Sequence, residues 1–149
     1  GQIAAIHAGW QGLACGVIKA TAERFDADKP ITAWIGVCIS QENYEVGSQV
    51  RNKLLAGCID NKALSSQHLE SFEQRYVLAS VADKIKLNLP KLAADQLSAA
   101  GITVSSQSEI PCSYADSHYY SYRRQTHLGQ SATGRMALII TRSASRELA

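Results

Sequence analysis

The stretch Ala5-Ile6-His7-Ala8-Gly9-Trp10-Gln11-Gly12 stands between alternating apolar residues from Gln2 to Ile6 and a helically spaced run from Leu13 to Phe25. A period of two before it and of 3.6 after it predict a buried strand feeding a helix, with His7 at the junction. Glycines on both sides of Trp10 let the backbone turn tightly, and the free amides that open the helix face that turn. A histidine there reads in two ways, as a satisfied structural side chain or as a ligand or base.

Working outward, Leu13, Val17, Thr21 and Arg24 or Phe25 share one stripe of the first helix, and Ile31-Thr32-Ala33-Trp34-Ile35-Gly36 predicts a short buried strand, giving a βαβ-like start. Val46, Val50 and Leu54 recur at four-residue intervals on a second helix that Gly57 could end. Glu45 precedes it, either a carboxylate near substrate or an acidic residue suited to a helix N-terminus. Residues 58–75 are polar and aperiodic, and His68 within them reads as a solvated histidine. From Tyr76 the pattern predicts helix again. Asn88-Leu89-Pro90 carries a capping side chain and a first-turn proline, Leu89, Leu92, Ala93, Gln96 or Leu97 and Ala100 form a buried face, and Gly101 stops it before a strand at Ile102-Thr103-Val104.

The last third is chemically dense. Tyr114, Tyr119, Tyr120 and Tyr122 surround Arg123 and Arg124, and aromatic faces beside guanidinium groups suit a planar base and an anion in one pocket; the plain reading is a strand with packed tyrosines and solvated arginines. Alternation in a strand sends the two arginines to opposite faces, so one of the pair is structural, which one being open. Thr133-Gly134-Arg135 leads into Met136-Ala137-Leu138-Ile139-Ile140, which predicts a strand buried on both faces.

Composition bounds the rest. The 149 residues suffice for one domain, and 46% hydrophobic with 19% charged residues describes a globular chain. A formal net charge of +2 with scattered Lys and Arg argues against nucleic acid or a membrane surface as partner. No apolar run approaches the ~20 residues a membrane helix needs, and a cytoplasmic location is the expectation. Cys15, Cys38, Cys58 and Cys112 form no C-x-x-C pair; the first three read as reduced, mostly buried thiols, and Cys112 is set apart by its nearness to the tyrosine and arginine cluster.

Four motifs in order, around His7, from Trp34 to Gly47, from Cys112 to Arg124, and Thr133-Gly134-Arg135-Met136-Ala137, resemble those of the YfiH-like family. That family is described as purine nucleoside phosphorylases with adenosine deaminase and methylthioadenosine phosphorylase activities, and also as multicopper polyphenol oxidases, or laccases. The resemblance implies an α+β fold with mixed sheets and helices packed outside in αββα-like layers. It implies zinc, with copper as the alternative, held by His7 together with a cysteine and a histidine expected upstream of Gly1, so that residues 1–149 are one domain that is a fragment lacking its N-terminal part. The only methionine, Met136, fits that expectation.

The reading of function is phosphorolysis of adenosine-, inosine- or guanosine-type nucleosides, with purine nucleoside and phosphate as partners. His7, Arg123 and Arg124 are the catalytic candidates, and Gln11, Glu45, Tyr120, Tyr122 and Arg135 the substrate-binding ones. Copper-dependent phenol oxidation, a hydrolase using Cys112, and a non-catalytic nucleoside-binding relative are the alternatives. Three departures from the family stand out: Gln11 replaces an arginine and so keeps hydrogen bonding without charge, Val37 and Ser40-Gln41 replace a Gly-Pro-rich loop, and Gln125 to Ala132, with His127, lengthens a short turn as a lid or a neutral insertion.

Overall fold

The structure, a computed structural model, describes residues 1–105 and 109–142. Its helices are α1 (Trp10–Ala14), α2 (Val17–Ala22), α3 (Ser48–Asp60), α4 (Ser66–Glu70), α5 (Phe72–Tyr76), α6 (Leu89–Ala99) and α7 (Tyr122–His127). Its strands are β1 (Thr32–Ala33), β2 (Glu45–Gly47), β3 (Val77–Ala79), β4 (Lys84–Leu87) and β5 (Thr103–Val104), and a 3-10 turn spans Gln41–Asn43. The class is α+β, as expected. Parallel pairing joins β1 to β5, with Thr32 opposite Thr103, and antiparallel pairing builds the order β2-β4-β3, with Val46 opposite Ile85.

The core lies where α1, α3 and α6 meet β4. Leu13, Leu54, Cys58, Phe72, Tyr76, Leu87 and Leu92 are fully enclosed there. Helix α3 crosses α1 so closely that a Cβ built on Gly57 would stand 2.3 Å from the carbonyl oxygen of Ala14. Gly57 therefore lies inside the helix as a contact residue and does not end it. Asn61 locks the crossing: its Nδ2 donates to the carbonyls of both Ala14 and Gly57 at 2.9 Å.

Several elements differ from expectation. The run from Leu13 is broken into α1 and α2 by Gly16, whose φ of +72° is left-handed. Residues expected to be helical from Tyr76 form the β3–β4 hairpin, and the aperiodic region contains α4 and α5. Val46 belongs to β2, not to the helix after it. The segments Gln2–Ile6 and Met136–Ile140, read as buried strands, have no regular pairing and are exposed, Ile3 to 45% and Ile139 to 79%. Alternating apolar residues make a strand only where a second strand supplies hydrogen bonds, and none among the described residues does. The tail beyond Arg142 lies outside the described residues.

Candidate functional site

Two structural centres take up the residues singled out in the sequence. The first is the opening of α1. Gly9, extended at φ −68° and ψ 176°, caps the helix, and the exposed His7 folds back so that its Nε2 would stand 3.3 Å from a Cβ at position 9. Gln11 points to solvent from the second helical position.

The second centre is a network between the segments 38–45 and 112–124. Cys38 and Cys112 face one another in a parallel bridge: Cys38 N–H donates to Pro111 at 3.3 Å, and Ser113 N–H donates to Cys38 at 2.9 Å. The Cys112 sulfur accepts from the Ser40 amide at 3.3 Å, and from Asn43 Nδ2 and the Ala115 amide at 3.5 Å. Burial opposes its ionisation, yet hydrogen bonds from Ser40, Ala115 and Tyr114 outweigh that and hold the thiol below the usual cysteine range. Cys38 goes the other way. Burial, reinforced by the charge of Cys112, pushes it up to about 11.

The arginine pair divides its work, and it does so from a helix. Ser121 Oγ accepts from the Arg124 amide at 3.3 Å and caps α7, so the tyrosine and arginine run expected as a strand is helical from Tyr122. Arg124 Nη1 donates to the carbonyls of Ser113, Tyr114 and Asp116 at 2.9, 2.7 and 3.0 Å, and Nη2 donates to that of Tyr119. One guanidinium thus fixes the whole loop after Cys112. Arg123 donates from Nη1 to the carbonyl of Glu45 at 2.6 Å and lies 5.3 Å over the Tyr44 ring, a cation–π contact that ties α7 to β2.

Glu45 is not the acidic residue of a helix N-terminus, since the first turn of α3 holds no acidic residue. It sits in β2, three residues before α3, and its carboxylate accepts from Ser80 Oγ at 2.6 Å and pairs with Lys84 Nζ at 3.1 Å. Those two partners, Ser80 foremost, hold it below the usual carboxylate range. Tyr120 and Tyr122 are exposed, Tyr122 to 75%. The Tyr120 ring covers Gly134, where a Cβ would stand 2.4 Å from Cζ. Arg135 is exposed and, among the described residues, reaches only the Gly134 carbonyl, at 3.5 Å. His127, in the lengthened connection, meets the Tyr114 hydroxyl through Nδ1 at 3.0 Å, and α7 occupies the first part of that connection. His68 is half-buried, not solvated as read, and its Nδ1 has no hydrogen-bond partner among the described residues.

Cys112, Arg123, Arg124 and Glu45 therefore share one neighbourhood, while among the described residues no hydrogen bond ties His7 or Gln11 to it. Ser40, Asn43 and Tyr44 are participants that sequence reasoning missed. Two open clefts, of about 700 and 590 Å³, flank α2; the first is lined by Gln2, Ile3, Arg24 and Phe25, the second by Lys19, Phe25 and Gln96, and neither by a candidate residue. Among the described residues no group of three or more His, Cys, Asp or Glu side chains can hold a metal ion. A catalytic zinc takes three protein donors. His7 offers one, so these residues alone do not fit the ion. Among the described residues no helix is long and apolar enough to cross a membrane.

The family model described as multi-copper polyphenol oxidoreductase laccase matches residues 1–143. Purine nucleoside phosphorylase YfiH of Shigella flexneri is 35% identical over 93% of this chain and 50% of its own length, and that of Escherichia coli is 34% identical with the same coverage. The purine nucleoside phosphorylase of Pseudomonas aeruginosa is 30% identical over 89% of this chain. A crystal structure of a Neisseria meningitidis protein superposes with a TM-score of 0.58 at 26% identity, covering 79% of this chain and 44% of that one. The chain spans about half the length of the curated relatives it matches. With a model match that runs through both centres and almost end to end, the chain belongs to the YfiH-like, multi-copper polyphenol oxidoreductase laccase family.

Proposed function

We propose that this chain is part of a purine nucleoside phosphorylase. The observation that carries the reading is the likeness, at 30–35% identity over 89–93% of the chain, to four relatives that bear that name. In phosphorolysis a phosphate oxygen bonds to the anomeric carbon of the ribose, the bond from that carbon to the purine nitrogen breaks, and the purine leaves with a proton. The protein must hold an anion, present a flat surface to the base and stabilise the departing purine.

The geometry supports a particular division of those tasks. Among the described residues the exposed Arg135 makes one long bond to a backbone carbonyl, and Arg123 makes one backbone bond beside its contact with the Tyr44 ring, so both keep donors for phosphate. Arg124 spends its donors on four carbonyls and acts by positioning. Tyr120 and Tyr122 offer exposed rings for the base, and Gln11 an uncharged donor where the family has arginine. His7 is the metal donor this chain contributes, zinc being the ion proposed and copper the alternative. Deamination of adenosine and phosphorolysis of methylthioadenosine are further activities proposed from the resemblance to the YfiH-like family.

The test is base release from adenosine, inosine and guanosine by the full natural protein, with and without phosphate. Release of free base with ribose 1-phosphate, in proportion to phosphate, is the expected result. Oxidation of phenols by oxygen without nucleoside cleavage would replace this reading with the oxidase one.

A further inference from the structure

The two cysteines that face each other across the bridge are 74 positions apart in sequence yet occupy partner positions on adjacent parallel segments. Side chains of such partners leave the sheet on the same side, and adjacent strands lie about 4.8 Å apart, inside the Cα separation of roughly 4.4–6.8 Å that a disulfide spans. Both are free thiols here.

Their surroundings are unequal. The Cys112 sulfur is half-buried and receives hydrogen bonds from two backbone amides, Ser40 and Ala115, and from the Asn43 side-chain amide. Donors converging on sulfur stabilise a thiolate, the nucleophilic form. Cys38 also lies half-buried but has no such donors among the described residues, and it stays a protonated thiol. One member is equipped to attack an oxidant and the other to wait. Partial exposure of both separates them from Cys58, which is sealed in the core, and mutual facing separates them from Cys15, which is exposed beside no other cysteine among the described residues.

We propose that Cys112 is a site of oxidation by small hydroperoxides, with Cys38 as its resolving thiol. The Cys112 thiolate attacks one oxygen of hydrogen peroxide; a sulfur–oxygen bond forms, the oxygen–oxygen bond breaks, and hydroxide leaves, taking a proton to become water. Cys112 is then a sulfenic acid. Cys38 sulfur attacks the Cys112 sulfur, the sulfur–oxygen bond breaks, and the Cys38 proton departs with the hydroxyl as a second water. Two thiols have lost two electrons to one peroxide, and a dithiol reductant returns them. The disulfide ties segment 36–39 to segment 111–113 and withdraws the sulfur from Ser40, Asn43 and Ala115. These are the turn before Tyr44 and the loop that Arg124 holds, so the oxidised form re-sets the neighbourhood of the arginine pair. This inference rests on the bridge geometry and on the donors that converge on the Cys112 sulfur, and it stands whether or not the protein cleaves nucleosides.

The experiment is peptide mapping of the full natural protein after brief treatment with hydrogen peroxide, using isotope-coded alkylation before and after reduction. A disulfide linking the Cys38 and Cys112 peptides, together with alkylation of Cys112 in the untreated protein about tenfold faster than of exposed Cys15, is the expected result. In Cys38→Ser the sulfenic acid of Cys112 should persist long enough to be trapped by a 1,3-diketone reagent. Oxidation at Cys15 in preference to Cys112, or a Cys112 sulfenic acid in the wild-type protein that never passes to Cys38, would overturn the proposal. The wild-type mapping decides the matter without requiring the Cys38→Ser variant to fold.

Discussion

The hydroxyl of Tyr76 donates to Oδ2 of Asp95 over 2.7 Å, and Arg75 Nη2 reaches the same oxygen at 2.6 Å. Tyr76 is 1% exposed, so its ring fills the core while its polar end is satisfied by a carboxylate on α6. Burial pushes Asp95 up, but Arg75 and Tyr76 together outweigh it and the carboxyl lies below its ordinary 3.8. A carboxyl held low contributes stability that is complete above the unfolded value and disappears as pH falls through the lower folded value.

Asp95→Asn should therefore destabilise the protein by about 2 kcal/mol at neutral pH and by progressively less as pH falls below 4, flattening the acid limb of unfolding. Tyr76→Phe should cost about 1 kcal/mol. Chemical denaturation at pH 7 and pH 3 measures both. An Asp95→Asn protein with the wild-type pH dependence would show that another carboxyl governs the acid limb.

Arg123 and Arg124 should part company on substitution. Arg124→Ala removes donors from four carbonyls and should lower stability by about 2–3 kcal/mol, with Arg124→Lys a poor rescue because an ammonium lacks the planar fork. Arg123→Ala should keep the fold and raise the phosphate concentration needed for turnover about tenfold, equivalent to ~1.4 kcal/mol. Equal loss of stability in both variants would contradict the division.

Alanine at a helix-interior glycine normally stabilises by about 1 kcal/mol. Gly57→Ala should do the reverse here and lower the melting temperature, since its methyl must displace the Ala14 carbonyl and, with it, the Asn61 clasp. A stabilised Gly57→Ala protein would mean that α1 and α3 do not cross as closely as described.

His7→Ala in the full natural protein should reduce zinc per chain with nucleoside cleavage while leaving the melting temperature near wild type, because His7 is exposed and lies outside the core. Elemental analysis and thermal unfolding on one preparation decide it. Stoichiometric zinc retained by a folded His7→Ala protein removes His7 from the metal proposal.

What could be read in the sequence was local. Asn88-Leu89-Pro90 announced α6, and in the structure Asn88 Oδ1 accepts from the Lys91 amide at 3.1 Å as a cap should. Val50 and Leu54 placed α3. The β3–β4 hairpin escaped because its turn, Ser80-Val81-Ala82-Asp83, carries neither glycine nor proline; Ala82 takes the left-handed φ of +54° that glycine usually supplies. Helix α7 had a signal in Ser121, a good capping residue, which the tyrosine alternation obscured. At the candidate site, the nearness of Cys112 to the arginines was legible from the chain order. The pairing of Cys38 with Cys112 was not, because which distant segments lie side by side depends on tertiary packing that no local pattern encodes.

One peptide plane in the loop after Cys112 has two occupied ends. The carbonyl of Tyr114 accepts from Arg124, and the amide of Ala115, the other half of the same trans peptide, donates to the Cys112 sulfur. A planar trans peptide points its oxygen and its hydrogen in opposite directions, so turning the first toward the guanidinium aims the second at the thiol. The positive charge of Arg124 thereby polarises a donor that faces the sulfur, without touching the sulfur itself. The unit works as a relay of orientation: by holding one carbonyl, a fixed cation on α7 aims a backbone amide at a sulfur that it does not itself touch.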